Sequence, residues 1–496
     1  MAADARTPAQ LVVAFGAVML GTLLAALDQT ILATALPRIA ADLHGFDHLS
    51  WAITAYLVTS TVTVPFYGRL SDVYGRRLLF VVSISLFGIG SVLSGLAGGM
   101  VQLIAFRALQ GLGAGGLMPL AQAVVADLFE PRDRGRYQGF IGGMWALAAV
   151  AGPILGGTLT DHASWRWIFF INVPLCVLAL AVVIRTLPPA RERREHRFDL
   201  LGAALLSAAV TGVLLACVWG GVTYPWGSAE VLGTGIAGLA GLVAFVAWER
   251  RAAEPLVPIA LFSNRVFAVG CAANVMLGAL IFGVDIYVPV FVQGVLGSSA
   301  TGSGMVLLPL LLSWTLVSAL VGAWISRSGR YKAFPIAGMT AVLAGCMLLV
   351  LVGAGTSRLV VTLDLLLVGV GMGAAAQVFI VAAQNAVDPA SIGLATGGLV
   401  FFRNMGATLS VAALGTILAN RLASALTTRL GAGAGRIDTQ SLLQGGLHVP
   451  AGLEHGTRLA LSDAAHTVFL ALVPVALVAV LLSVALPELA LRGGER

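Results

Sequence analysis

Residues 68–77 read GRLSDVYGRR, and this short polar stretch separates two long apolar blocks of the 496-residue chain. Gly68 and Gly75 permit a tight turn and close contact between two helix ends. Asp72 can interact with the positive N-terminal end of a neighbouring helix, and the two final arginines can reach carboxylates such as Asp127. The stretch therefore predicts a place where helix ends meet.

A degenerate copy of this stretch closes a later apolar block. Gly322, Gly329 and Arg330 repeat its two glycines and one of its arginines, whereas Ser326 replaces its aspartate. A charged loop that recurs between apolar blocks predicts two parallel halves with the same architecture.

The composition of the chain is that of a membrane protein. Hydrophobic residues make up 58% of the sequence and charged residues 10%, whereas soluble proteins are roughly half apolar and a quarter charged. Each apolar block is close to the about 20 residues that a helix needs to cross a hydrocarbon core. The 60 glycines suit membrane helices, whose backbones approach closely at small residues. We therefore expect an all-α polytopic membrane protein.

The apolar blocks predict fourteen spans, grouped as six, two and six. We expect an N-terminal six-helix bundle in residues 1–190, a linker with two extra helices in residues 191–255, and a C-terminal six-helix bundle in residues 256–496. A long extracellular loop is expected near residues 420–466. The predicted spans are Leu11–Leu36, Trp51–Tyr67, Leu78–Leu96, Met100–Phe129, Gln138–Leu159, Trp167–Leu187, Leu200–Gly220, Val231–Trp248, Phe267–Val292, Gly304–Ile325, Phe334–Val352, Leu359–Val381, Leu394–Leu418 and Thr467–Leu486.

The distribution of arginine predicts the orientation in the membrane. Basic residues cluster in every second connection, and the alternate short connections carry few. Short cytoplasmic loops are enriched in Lys and Arg, so both termini are expected in the cytoplasm and the number of spans is expected to be even. The net charge of +6 then reflects these loops and not a nucleic-acid-binding surface. The basic connections are residues 69–77, 132–136, 191–197, 250–265 and 327–332.

The sequence lacks the motifs of several other classes. It has no soluble domain, no phosphate-binding glycine loop with its lysine, and no His/Cys cluster with metal-ligand spacing. An ATP-driven pump would need the first, and an intramembrane metalloprotease the last. We therefore expect neither an enzyme nor a bound cofactor or metal. An ion gradient is then the expected source of energy.

Several motifs resemble those of one family. Residues 68–77 resemble the cytoplasmic loop signature of the major facilitator superfamily, and residues 103–111 resemble its fourth-helix signature. Residues 152–157, GPILGG, resemble the fifth-helix motif of its antiporters. Residues 27–37 and 165–174 resemble the fourteen-spanner drug:proton antiporters. The resemblance implies a major facilitator fold with two extra central helices, and multidrug efflux that confers antibiotic resistance.

Five residues of the loop signature form a candidate conformational latch. Gly68, Asp72, Gly75, Arg76 and Arg77 could hold two helix ends together in one conformation and release them in another. Alternatively, the arginines only follow the distribution of positive charge between loops. That alternative does not explain the Gly-Asp-Gly spacing.

The fifth-helix motif is a candidate hinge. Pro153 removes a backbone donor and is expected to kink the helix. Gly152, Gly156 and Gly157 leave a bare surface for close packing. Ala148 stands where this antiporter motif usually has another glycine.

Two charged residues in the first half are candidates for proton coupling or substrate binding. Asp28 lies deep in the first span, where an acid costs about 2.5–3.5 kcal/mol on insertion scales. It could carry a proton, attract a cationic substrate, or serve as a structural acid bonded to a neighbouring helix. Arg107 lies inside the fourth span with Gln110 on the same face. It could couple the protonation of an acid to shape, or anchor the helix bundle.

Asp285 is the candidate charged site of the second half. It lies inside the ninth span, eleven residues after Asn274. Because eleven residues are three helical turns, both side chains are expected on one face. Polar groups avoid lipid, so that face is expected to line a cavity and Asp285 to be a second proton or cation site.

These observations predict a proton-coupled antiporter of the inner or cytoplasmic membrane. It would export lipophilic, cationic drugs by alternating access, as a monomer, with protons and lipid as its other partners. Three alternatives stay open. They are an exporter dedicated to one natural product, a proton-coupled solute importer, and a non-transporting receptor or scaffold. A receptor would have no need of Asp28, Arg107 and Asp285 within the membrane.

Overall fold

The computed structural model describes residues 8–43, 49–188, 199–221, 224–252, 255–298, 300–431 and 453–491. These ranges are almost entirely helical. Apart from an isolated bridge between Gly220 and Tyr224, they contain no β-structure. The helices are α1 Pro8–Asp42, α2 Leu49–Tyr74, α3 Arg76–Gly95, α4 Met100–Leu128, α5 Pro131–His162, α6 Trp167–Phe170, α7 Asn172–Thr186, α8 Leu200–Trp219, α9 Ala229–Glu249, α10 Arg265–Gly294, α11 Ala300–Ser328, α12 Ala333–Val350, α13 Arg358–Ala386, α14 Ile392–Leu430 and α15 Glu454–Ala485.

Within the described ranges, thirteen helical segments are long and apolar enough to span a membrane, with α6 and α7 counted as one span. Helix α2 is the fourteenth expected span and is not among these thirteen. Its 26 residues include threonines and serines that donate to their own helix backbone. Thr59 donates to the Ala55 carbonyl at 2.8 Å, and Thr63 donates to the Thr59 carbonyl at 2.9 Å. These hydroxyls therefore need no water, and the predicted all-α membrane fold is confirmed.

The long outer loop predicted near residues 420–466 is shorter than expected. Helix α14 continues to Leu430, and α15 already begins at Glu454. Leu422 and Leu426 are buried in the core that α15 shares, and Arg429 pairs with Asp463 at 2.7 Å. Packing between the two helices thus extends both beyond their predicted spans. Residues 432–452 of this loop, and residues 189–198 of the predicted linker, lie outside the described residues.

The apolar core is divided along the chain. Two buried clusters draw on residues 14–187, and a large one draws on residues 266–491 with Ala126. The two parts meet chiefly along two helix pairs, α2 with α14 and α5 with α11. Helices α8 and α9 form a hairpin that packs on α2 and α14.

The turn between α8 and α9 contacts both halves. Trp219 lies edge-on to Trp51 of α2, with ring centroids 5.7 Å apart. Trp226 donates its indole N–H to the Thr416 hydroxyl of α14 at 3.0 Å. Gly221 takes a φ of 75°, a conformation that favours glycine, and closes this turn.

Candidate functional site

The first half contains a buried ion pair between α1 and α4. Arg107 donates to Asp28 Oδ2 at 2.7 Å, and the two residues are 1% and 3% exposed. Gln110, one turn after Arg107, donates to Asp28 Oδ1 at 2.7 Å. It also accepts a bond from Arg107 at 2.7 Å. The structure thus brings together the two charged residues that the sequence predicted separately.

Other groups complete the surroundings of this pair. Asn172 of α7 donates to Asp28 Oδ1 at 3.2 Å and to Ser91 of α3 at 2.9 Å. The guanidinium of Arg107 lies 4.1 Å from the ring centroid of Tyr56, within the range of cation–π attraction. A buried ion pair is stable only when its remaining hydrogen-bonding capacity is used. The Asp28 carboxylate, with three side-chain donors, meets that condition.

Glycines of α4 and α3 allow the helices around the pair to approach. A Cβ at Gly111 would lie 2.5 Å from the Tyr56 carbonyl of α2, and a Cβ at Gly90 would lie 2.6 Å from Cα of Gln110. Both distances are far below ordinary van der Waals contact. Glycine at these two positions therefore permits the backbone spacing at which one network joins four helices.

The antiporter motif packs against α1 two residues after Asp28. Thr30 donates to the Ala148 carbonyl of α5 at 3.0 Å, and a Cβ at Gly152 would lie 2.6 Å from Cβ of Thr30. Ala148 thus contributes a backbone acceptor, and this contact does not depend on whether the residue is alanine or the glycine usual in the motif. Helix α5 continues unbroken through the motif, with Gly156 buried and Gly157 in open space. The side chain of Pro153 lies outside those described, so the hinge stays a prediction.

The motif at residues 165–174 joins helix ends at the opposite side from the arginine-rich loops. Trp165 donates its indole N–H to Asp42 at 2.8 Å, and Arg166 donates to the same carboxylate at 3.2 Å. These two hydrogen bonds lower the pKa of Asp42, which lies beyond the apolar part of α1. Arg166 also donates to the Ala97 carbonyl at 3.2 Å. The motif therefore ties α1 to the turn between α3 and α4.

Asp285 lies in the middle of α10, and its surroundings differ from those of Asp28. It is exposed, as is the adjacent Ile286, whereas most of α10 is buried. Among the described residues it has no hydrogen-bond or ion-pair partner. A charged group at this depth avoids lipid, so its exposure indicates a crevice within the bundle.

The expected polar face with Asn274 was only partly right. Asn274 is buried and donates to the Gly270 carbonyl of its own helix at 2.9 Å. The two side chains share a helix face by spacing, but the crevice does not extend as far as Asn274. At this level α10 packs closely on α14, because a Cβ at Gly406 of α14 would collide with the Val275 carbonyl.

The candidate latch contacts the other half of the molecule. Asp72 accepts hydrogen bonds from the backbone N–H groups of Gly393 at 2.9 Å and Leu394 at 2.7 Å. These residues begin α14, where unpaired N–H groups and the helix dipole favour an anion. Arg76 pairs with Asp72 at 2.6 Å and with Asp127 of α4 at 2.9 Å. Arg77 has no ion pair within the described ranges.

Two glycines of the candidate latch lie where backbones meet or turn. A Cβ at Gly68 would lie 2.7 Å from the Gly393 carbonyl, so glycine there permits contact between α2 and α14. Gly75 takes a φ of 88° and Gly329, its counterpart in the second copy, takes 68°. Both ends therefore turn through a conformation that favours glycine.

The second copy of the loop contacts the first half in a different way. Ser326 of α11 donates to Asp133 in the first turn of α5 at 2.5 Å. Gly139, further along α5, would place a Cβ 2.9 Å from the Ala319 nitrogen. At the arginine-rich end, α2–α14 and α5–α11 are thus both closed by polar contacts and glycine packing.

The sequence pointed to the main charged residues but not to all of their partners. Asn172 lay within a recognised motif without a role, and Ser91 had no signal beyond its place in an apolar block. Asp133 could not be matched to Ser326, because the two are 193 residues apart in the chain. Among the described residues, no group of His, Cys, Asp or Glu could hold a metal ion.

Comparison with known proteins identifies the family. The family model described as Major Facilitator Superfamily matches residues 18–411. Multidrug resistance protein 3 of Bacillus subtilis is 35% identical over 474 residues, which cover 93% of this chain and 92% of that protein. An uncharacterized MFS-type transporter of Mycobacterium tuberculosis is 39% identical over 426 residues, 85% of this chain. The chain spans only 62% of that relative's length.

Solved structures agree on the fold. A proton:xylose symporter of the same superfamily, XylE, superposes with a TM-score of 0.65 at 14% identity, covering 97% of both chains. The structure therefore has the same fold as this symporter. The family match, the relatives and the fold together establish that this chain belongs to the Major Facilitator Superfamily.

Proposed function

We propose that this protein exports lipophilic, cationic compounds in exchange for protons, by alternating access. The observation that carries the proposal is the buried Asp28–Arg107 pair, which joins α1 to α4 through a single carboxylate. A proton on Asp28 would remove the charge that holds Arg107. Protonation and the contact between the two helices are therefore coupled.

Asp285 supplies the second part of the proposal. It is exposed and unpaired among the described residues, so it can attract a cation that enters the crevice. Asp28 is enclosed by its partners and offers a cation no free oxygen in this conformation. We therefore assign the proton to Asp28 and the cationic substrate to Asp285.

The arginine-rich end supports an orientation of the protein in the membrane. Arginine-rich short loops face the cytoplasm in membrane proteins, so the end closed by Asp72 and Ser326 is proposed to be cytoplasmic. That end is closed in the conformation described. The printed name of the Bacillus subtilis relative, a multidrug resistance protein, supports export, as does the antiporter motif around Gly152.

Gradient-driven uptake into liposomes tests this proposal. Purified protein is reconstituted, the membrane potential is clamped with potassium and valinomycin, and ethidium uptake is followed under a proton gradient of either direction. Antiport predicts accumulation only when the lumen is acidic. Accumulation driven by an acidic exterior would indicate symport, and equal uptake without any gradient would refute coupling. The Asp28→Asn variant should bind ethidium but not accumulate it. Repeating the assay with a set of unrelated cations distinguishes multidrug export from an exporter dedicated to one compound.

A further inference from the structure

Asp285 is not the only charge inside the second half that has no partner among the described residues. Arg403 lies within α14, more than two turns from its start, and is only partly exposed. Among the described residues its side chain has no hydrogen-bond or ion-pair partner. Charged side chains within membrane spans ordinarily pair or face a water-filled cavity. The second half thus holds an acid and a guanidinium that do not pair with each other.

The two groups border the same junction of α10 and α14. A Cβ at Gly278 of α10 would collide with the Arg403 carbonyl, so the two helices touch at that level. Asp285 lies seven residues after Gly278, which places it on the same face of α10, about 10 Å further along the axis. Asp285 therefore lies further towards the C-terminal end of α10 than the point where α10 contacts Arg403.

The direction of Arg403 follows from its own helix. Ser410, seven residues later on the same face of α14, donates to the Ala279 carbonyl of α10 at 3.0 Å. Arg403 therefore lies on the face of α14 that is directed towards α10. The separation of about 10 Å along the axis explains why Arg403 and Asp285 form no direct ion pair.

We propose that Asp285 and Arg403 together bind zwitterionic substrates, with the cationic group at Asp285 and a carboxylate at Arg403. A guanidinium forms two parallel hydrogen bonds with a carboxylate, which makes it the side chain best suited to this group. The inference rests on the proposed export function and extends its substrates from cations to compounds that carry both charges.

Arg107 shows what an arginine with a structural role looks like in this fold. It is fully buried, paired with Asp28, and packed on the Tyr56 ring. Arg403 has none of these features. Its charge is left for a partner that the described chain does not supply, and a carboxylate has the complementary charge and geometry.

A matched pair of dyes tests the inference. Rhodamine 110 carries a cationic ring system and a free carboxylate, and rhodamine 123 is its methyl ester, so the two differ in one negative charge. Binding of each dye to the purified protein is measured by fluorescence anisotropy, for wild type and for Arg403→Gln, Arg403→Lys and Asp285→Asn. Arg421→Gln, at an exposed arginine later in the same helix, is the matched control.

We expect Arg403→Gln to weaken rhodamine 110 binding about tenfold, since a charge-assisted bidentate contact is lost. Rhodamine 123 binding should be unchanged, which also shows that the variant is folded. Arg403→Lys should retain part of the rhodamine 110 affinity, Arg421→Gln should match wild type, and Asp285→Asn should weaken both dyes.

Three results would overturn the inference. Equal loss of both dyes in Arg403→Gln would make the arginine structural. Wild type that binds rhodamine 123 but not rhodamine 110 would exclude zwitterions and leave the proposed function intact. Binding of neither dye would contradict the proposed function itself.

Discussion

Asp28 and Asp285 occupy corresponding positions in the two halves, but their surroundings are opposite. Each lies two residues before a hydroxyl group that bonds to the neighbouring helix. Thr30 donates to a carbonyl of α5, and Tyr287 donates to a carbonyl of α14. One acid is enclosed by three side-chain donors, and the other is exposed without a partner among the described residues.

The halves also differ in α4 and α13, which occupy corresponding positions. Arg107 lies four residues before Gly111, which approaches α2, and Leu365 lies four residues before Gly369, which approaches α11 in the same way. Leu365 is fully buried and cannot pair with an acid. The comparison teaches that a duplicated architecture can keep an acid at one position and change the side chains available to pair with it.

The largest expected effect comes from removing the partner of the enclosed acid. Arg107→Met should lower the free energy of unfolding by about 3–5 kcal/mol, because it leaves a buried carboxylate without its counter-charge. Thermal unfolding in detergent measures this. Adding Asp28→Asn should restore most of the stability but not the transport. If Arg107→Met is as stable as wild type, the pair is not the structural centre of the first half.

An intermediate effect is expected at the contacts between the halves. There too the halves differ, because the first uses the charged Asp72 and the second the neutral Ser326. Asp72→Asn removes the charge held at the start of α14 and should shift the population towards opening of the arginine-rich end by about tenfold. Ser326→Ala removes one hydrogen bond, worth about 0.5–1.5 kcal/mol, and should shift the population less.

Spin labels are placed at the exposed positions Arg136 and Ser328, at the arginine-rich ends of α5 and α11. The distance between them reports the populations with this end open and closed. Equal shifts for the two variants would mean that the charge of Asp72 adds nothing to a simple hydrogen bond. No shift for either variant would show that glycine packing alone holds this end closed.

The smallest effect on stability is expected at the exposed acid. Asp285→Asn should change the free energy of unfolding by no more than about 0.5 kcal/mol, as for a surface position. Asp28→Asn, by contrast, weakens the compensation of a buried guanidinium and should cost clearly more. Unfolding of the two variants side by side decides this. A large loss of stability in Asp285→Asn would show that the acid has a structural partner after all.

Much of the fold could be predicted from sequence because its signals are local. Apolar blocks near the thickness of a bilayer gave the spans, and paired glycines such as Gly75 and Gly329 marked equivalent turns. Asp28 and Arg107 stood out individually, since charge within an apolar block is costly. The pairing of Asp28 with Arg107 and Asn172 could not be predicted, because it depends on how four helices pack. The extent of α14 was missed because contacts with α15 stabilise residues that are not apolar enough to suggest a span.

The two contacts between the halves, which we call the α2–α14 seam and the α5–α11 seam, differ in their exposure to the bilayer. The hairpin of α8 and α9 causes this difference. Along the α2–α14 seam the hairpin stands between the helices and the acyl chains, and Trp219 and Trp226 fasten its turn to both sides. The described helices place no comparable cover over the α5–α11 seam. A compound dissolved in the lipid therefore meets the covering hairpin at the α2–α14 contact and uncovered helices at the α5–α11 contact. The extra helices thereby make the two lipid-facing sides of this pseudo-symmetric molecule different.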